Sequence, residues 1–299
     1  MIKISNVRKE FQEIEAIENV SIHVNKGSIY GLLGSNGAGK TTLLKMIAGI
    51  YEQSEGSILI DGREVYENPS LKQEIIIIQD TPFFIPQYTL KQMGKVYSSF
   101  YPNWSEERFK QLAADFNLDV TKKIHKFSKG IQRQAAFILA LSAQPSVLIL
   151  DEPMDGLDPV MRKKVKSLIF DDVADREMSV LISSHNLKEV EDICDHVGIL
   201  HKGKMILERD LDDLKSDTHK IQLAFKGEIP KQLISSLDIV HQEKRGSIFI
   251  CIVKGLEEEL LTKIQGYHPV IFDILPLTLE EIFLYEMEDA GYAVQNILD

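Results

Sequence analysis

The sequence predicts an α/β protein. It has a mainly parallel core sheet, an antiparallel β part and an inserted helical part, followed by a small C-terminal α+β domain. Three observations predict it. Short runs such as SVLILD at 146–151 are almost wholly apolar, as strands buried on both faces are. These runs alternate with longer segments of mixed charge, the pattern of strands joined by crossover helices. After about residue 215 the pattern changes to shorter elements in the order β-α-β-β-α-β.

In chain order, MIKISNV, AIENVSIHV and GSILI read as short strands around a central strand, SIYGLL. That strand enters a glycine-rich loop and then a helix, KTTLLKMIAG, which Gly49 is placed to end. Residues about 80–135 turn helical, with Phe109, Leu112 and Phe116 at helical spacing and Ser105 as the N-cap. SVLILD, a helix of mixed charge and the strand MSVLISSH follow. In the last part, HKIQLAFKG, DIVHQE, SIFICIVKG and PVIFDIL read as strands, and PKQLISSL and LEEELLTKIQ as helices. TLEEIFLYEMEDA closes the chain as a helix. The expected domains are 1–215, containing the helical part, and 216–299, the latter in a ferredoxin-like order.

At 299 residues the chain has room for one large domain and one small one. Its formal charge of -11 counts against a nucleic-acid partner, which a basic face would attract. Cys194 and Cys251 form no CxxC and lie in apolar segments, so both are expected to be buried thiols in a reducing, cytosolic setting. The start, MIKISNVRKEF, lacks the apolar core of a signal peptide, and no apolar run approaches the roughly 20 residues that span a bilayer. A membrane role would be borrowed from a partner.

Gly34-Ser35-Asn36-Gly37-Ala38-Gly39-Lys40-Thr41 fits G-x-x-x-x-G-K-[ST], the P-loop. Its glycines let backbone N–H groups curl toward phosphate oxygens, and the helix that begins there adds its positive end. Lys40 would reach the β- and γ-phosphates, Thr41 would ligate Mg²⁺, and Thr42 would bond a neighbouring phosphate. Asp151, at the end of the apolar strand, would stand beside the Mg²⁺. Glu152 is the natural general base for a water attacking the γ-phosphate. An acidic pair after a strand also serves elsewhere simply to cap the next helix; the P-loop upstream favours the chemical role.

The remaining motifs carry a resemblance. Phe127-Ser128-Lys129-Gly130-Ile131-Gln132-Arg133-Gln134, upstream of SVLILDEP, resembles the ABC signature LSGGQ. Met154-Asp155-Gly156-Leu157-Asp158-Pro159 is similar to the D-loop, Ser183-Ser184-His185 to the switch histidine, and Gln79 after EIIIIQ to the Q-loop. Phe11 stands where this family keeps an adenine-stacking aromatic. The ordered set, over about residues 1–215, resembles P-loop NTPases of the ABC ATPase family. Within it, FYPNWSEERF and SKGIQRQ look like ATPase subunits of bacterial ABC-2-type exporters from the Gram-positive antimicrobial-peptide, toxin or acetoin-operon branch.

The resemblance implies an ATPase peripheral to the inner face of the cell membrane, working with transmembrane subunits and a second ATPase subunit. Two cassettes would pair head to tail around two ATP molecules. Ser128 and Gly130 of one would face the γ-phosphate held by the other, and Asp158 would couple the two sites. Gln79 would ligate Mg²⁺ and report on the γ-phosphate, and His185 would hold Glu152 and the water in line. The sequence departs from the pattern where Lys129 and Ile131 replace the second-position glycine and the glutamine of LSGGQ, and where Phe11 replaces the commoner tyrosine. The alternative is a soluble ABC ATPase acting on DNA or the ribosome. Such proteins usually carry long coiled coils or two cassettes in one chain, and neither pattern is present here.

Overall fold

The computed structural model describes residues 1–282 apart from Asp217 and Pro276. The chain divides into two compact units, Met1–Glu208 and Arg209–Asp299.

Along the first unit run β1 (Ile2–Phe11), β2 (Ile14–Val24), β3 (Ile29–Leu33), α1 (Lys40–Ile47), β4 (Glu55–Ile60), β5 (Arg63–Glu64), α2 (Pro69–Lys72) and β6 (Ile75–Ile78). The helical part follows with α3 (Leu90–Phe100), α4 (Glu106–Asp115) and α5 (Lys129–Ser142). Then come β7 (Val147–Asp151), α6 (Pro159–Arg176), β8 (Ser179–Ser184), α7 (Leu187–Glu191), β9 (His196–His201) and β10 (Lys204–Asp210).

Two sheets form. One has the order β2-β1-β4-β5 with antiparallel pairing; the other has the order β10-β9-β3-β8-β7-β6. In the second, β9, β3, β8, β7 and β6 are mutually parallel, and every residue of β3, β7 and β8 is buried. That burial is why their sequences are nearly continuous apolar runs. A single core joins the inner faces of β1, β2 and β4 to α1 and the central strands, with Ile17, Leu43, Leu44, Ile47 and Ile149 fully buried.

The local punctuation follows from sequence. Gly49 has φ 66; its N–H bonds Met46 O at 2.9 Å while Ile50 N–H bonds Lys45 O at 2.8 Å, closing α1. The Ser105 hydroxyl accepts from Arg108 N at 3.1 Å to start α4, and Phe109, Leu112 and Phe116 are buried. The helical part does not stop near residue 135. α5 continues to Ser142 and, from Ala135 onward, is buried along its length, so its second half belongs to the core. α4 is fixed to α6 by a buried carboxylate. Asp172 receives Arg108 Nη2 at 2.5 Å on one oxygen and Arg176 Nη2 at 2.8 Å on the other.

The second unit contains α8 (Leu211–Ser216), β11 (Thr218–Ala224), α9 (Lys231–Ser236), β12 (Asp238–Arg245), β13 (Ile248–Lys254), α10 (Glu257–Gln265) and β14 (Ile271–Leu275). From β11 the order is β-α-β-β-α-β, and the strands pair antiparallel in the order β12-β13-β11-β14. Hairpin-linked β12 and β13 with two returning helices is the split βαβ arrangement. Ile221, Leu233, Cys251, Val253 and Ile264 form its core. α8 packs on β11, so the division between units precedes residue 215. Thr278 and Glu281 form a capping box: Thr278 Oγ1 accepts from Glu281 N at 3.2 Å and Glu281 Oε2 from Thr278 N at 3.1 Å. The rest of the expected closing helix lies outside the described residues.

Both cysteines are buried. Burial pushes the Cys194 thiol far up and the Cys251 thiol up to about 12. Among the described residues, no helix is long and apolar enough to cross a membrane.

Candidate active site

The site is assembled by strand register. Leu33 of β3 lies beside Ser184 of β8, and Asp151 of β7 beside Ser183. The carboxyl ends of three parallel strands therefore coincide, and ligands of open α/β sheets bind at such an edge. The chain leaves β3 through Gly34–Gly39, with φ 80 at Gly37 and φ 108 at Gly39. A Cβ on Gly39 would meet Ala16 O at 2.7 Å, so close approach as well as dihedral requires glycine there. Lys40 opens α1, which aims its N-terminus into a cleft of about 560 Å³. Ser35–Thr42 line this cleft together with Asp151, Glu152, Asp80, Ala16 and Gly203.

Inside the cleft the polar groups are mutually satisfied. The Lys40 ammonium, 6% exposed, donates to Gly34 O at 2.5 Å and stands 3.4 Å from Glu152 Oε1. Thr41 Oγ1 donates to Asp151 Oδ2 at 2.7 Å, and Ser183 Oγ donates to Asp151 Oδ1 at 2.6 Å. Glu152 has φ 48, a left-handed backbone at a non-glycine residue. Its N–H is held by Ser183 O at 3.2 Å and Ser183 Oγ at 3.1 Å. Its Oε2 accepts the His185 backbone N–H at 3.3 Å and lies 2.9 Å from His185 Nδ1. Donor atoms of Glu152, Asp155 and His185 all lie within 4.8 Å of one another. Nearby, burial raises the Glu189 carboxyl above its ordinary value; Arg162 opposes the shift and the Asp155 charge adds to it.

This arrangement can hold a polyphosphate and position a base against it. A fixed cation, a helix N-terminus and a glycine loop face a hydroxyl–carboxylate pair. A second carboxylate is pinned by a histidine.

The structure brings together Ser35, Asn36, Gly37, Ala38, Gly39, Lys40, Thr41, Thr42, Asp151 and Glu152 at the cleft, with Gly34 bonded to Lys40 through its carbonyl and His185 bonded to Glu152. Phe11 and Gln79 do not line it. The Phe11 ring is partly exposed and packs edge-on against Tyr51, with centroids 5.4 Å apart; Ile14, its cross-strand partner, stands at the rim instead. Gln79 is half-buried at the end of β6, and its neighbour Asp80 faces the cleft. Ser128, Gly130 and Asp158 also lie away from the cleft. Ser128 caps α5, and the Asp158 carboxylate caps α6 by accepting Val160 N and Met161 N at 3.0 Å each. A Cβ on Gly130 would stand 2.6 Å from Gly156 O, so signature and D-loop touch within one chain.

Ser183 and Arg133 received no role from sequence alone. Each carried a signal. Ser183 is a hydroxyl that directly follows the apolar run Val180–Ile182, and Arg133 shares a helical stripe with Phe137 and Ala140. A polar group in such a place must find a buried partner.

A family model described as ABC transporter matches residues 17–155. The ABC transporter ATP-binding protein YtrB of Bacillus subtilis (strain 168) is 34% identical over 284 residues, 95% of this chain and 97% of that protein. The chain belongs to the ABC transporter ATP-binding proteins. The bacitracin transport ATP-binding protein BcrA of Bacillus licheniformis is 34% identical over 228 residues, 74% of this chain and 73% of BcrA. A solved ATP-binding subunit of an ABC transporter superposes with a TM-score of 0.68 at 27% identity, covering 72% of this chain and 92% of that one. The ABC subunit described here therefore binds ATP and hydrolyses it to drive transport. The match to YtrB is long enough to extend through the second unit.

Proposed function

We propose that this ABC ATPase powers an exporter of peptides, toxins or antibiotics, through separate transmembrane subunits and by ATP-driven pairing with a second ATPase subunit at the inner face of the cell membrane. The observation that supports it most is the convergence of Lys40, Thr41, Asp151, Glu152, Ser183 and His185 on one sheet edge, while Ser128 and Gly130 of the same chain lie away from it. A signature that cannot serve its own nucleotide is suited to a neighbour's. The transport of bacitracin named for BcrA, and of lantibiotics named for the SrtF proteins of Streptococcus pyogenes, supports a peptide-antibiotic cargo.

Residue roles follow from charge and placement. Lys40 gives up its carbonyl partner for phosphate oxygens, and the loop from Gly34 to Thr42 wraps them. Mg²⁺ suits the oxygen donors Thr41 and Asp151, already paired at 2.7 Å; Gln79, outside the cleft at the end of β6, would join them only by moving inward. Bound there, the ion would neutralise charge on the phosphates. Glu152 is the general base, and the contact to His185 holds its carboxylate in one direction. Phe11 would stack on adenine only after its ring swings from Tyr51 toward the cleft. Asp158 stiffens the start of α6 beside the opposing cassette. A groove in which Val96, Tyr97, Phe100 and Tyr101 face Pro69, Lys72 and Gln73, with Phe100 62% exposed, offers a mainly apolar surface for the membrane subunit.

Dimerisation tests the reading. In a Glu152→Gln background, with the membrane subunit and any second ATPase subunit present, ATP should convert the protein to a pair by light scattering. Ser128→Arg should block that conversion while leaving ATP affinity of the single chain within about twofold, because the bulk sits at the interface. Pairing at the parent level would remove 127–134 from the mechanism. Absence of any co-purifying multispan protein would favour the soluble alternative.

A further inference from the structure

Arg133 lies in the second turn of α5, five residues after Ser128, and is 6% exposed. A guanidinium so deeply placed must have its donors met by oxygens. It meets three. Nη1 donates to the backbone carbonyl of Glu152, while Nη2 donates to the backbone carbonyl of Asp80 and, at 2.9 Å, to Asp80 Oδ1. Three segments that are remote in sequence thus converge on one planar group: the helix that begins at the signature, the loop beside Gln79, and the turn carrying the base.

The contact to Glu152 falls on an unusual residue. Its left-handed backbone at φ 48 persists only where the surroundings impose it. Ser183 holds the N–H end of that residue and Arg133 holds its carbonyl end. From this held backbone the side chain reaches Lys40 and His185.

We propose that Arg133 is a positioning residue for hydrolysis. It holds Glu152 in the conformation that aims its carboxylate at the phosphate edge, and so makes turnover depend on where α5 sits. ATP binding rests on the P-loop, which Arg133 does not touch. The inference rests on Glu152 being the general base.

The test compares Arg133→Met and Arg133→Lys with the parent, each assembled with its transporter partners. The readouts are ATP affinity at equilibrium, kcat, KM and melting temperature. Arg133→Met should lower kcat by at least about tenfold, as loss of alignment by about an ångström does, with ATP affinity within about twofold. Arg133→Lys should lower kcat to an intermediate value, because one ammonium cannot span carbonyls on two segments. In a Glu152→Gln background Arg133→Met should cost nothing more, because a base already absent cannot be misaligned. Parental kcat in Arg133→Met overturns the proposal, as does loss of affinity in parallel with kcat. If Arg133→Met does not fold, Arg133→Lys decides: parental kcat overturns the proposal, and a fall at unchanged affinity supports it. A parental rate in Glu152→Gln alone would instead sink the base assignment, which separates the two failures.

Discussion

Lys40 shows how one residue's chemistry is set by its neighbours. A buried ammonium is costly unless oxygens surround it. Here Gly34 O, Ser35 O and the Glu152 carboxylate do so. Phosphate oxygens carry more charge than these carbonyls and can replace them with little rearrangement. Lys40→Ala should therefore abolish nucleotide binding rather than slow turnover. Titration with a fluorescent ATP analogue should show affinity lower by two orders of magnitude or more, about 3 kcal/mol for a lost charge-assisted contact. Unchanged affinity would mean that residues 34–41 are not the phosphate cradle. Glu152 complements this picture, since its carboxylate is reached by Lys40, by the His185 ring and by the His185 backbone at once.

Among the elements, α4 and α6 are joined at Asp172, which is 2% exposed and receives a guanidinium from each helix. Removing the carboxylate leaves two cations facing each other with nothing between them. Asp172→Ala should destabilise the first unit by about 3 kcal/mol, the lower end for a broken buried pair because both arginines are about a quarter exposed. Urea denaturation followed by tryptophan fluorescence reads this directly, as Trp104 packs on Phe109 of α4 with centroids 5.3 Å apart. A loss below about 0.5 kcal/mol would show that α4 is held by its apolar contacts alone. α5 shows the opposite design. Its start is polar and half-exposed while its second half is core, so it can carry a rigid displacement between the signature and the catalytic strand ends.

For the whole molecule, the two thiols report separately on the two units: Cys194 lies in the first and Cys251 in the second. Both thiols titrate above the ordinary value because burial disfavours the thiolate, so at pH 8 neither is reactive in the native state. Unfolding restores ordinary acidity and access. Pulsed alkylation across a urea series, read by mass spectrometry, should label neither cysteine in the native protein and release the two at different midpoints. Coincident release would show that the units unfold as one. Labelling of either under native conditions would contradict its burial.

The features legible in sequence are those enforced over a few residues. Caps at Ser105 and Gly49, the glycine spacing of 34–39, the doubly buried strand ending in Asp151 and the β-α-β-β-α-β run each depend on local dihedrals and periodicity. The ordered motifs likewise carry the likeness to an ABC ATPase within the sequence itself. Tertiary structure decided which polar groups share a partner. Thr41 and Asp151 meet across 110 residues because β8 lies between β3 and β7 in the sheet, and no local pattern contains that order. Arg133 and Ser183 became functional candidates only when the sheet edge placed a left-handed Glu152 between them. Phe11 had the right ring, but the register of β1 against β2 presents Ile14 to the cleft. A buried donor must be satisfied, and sequence can say that it needs an oxygen; long-range packing alone determines whose oxygen it is.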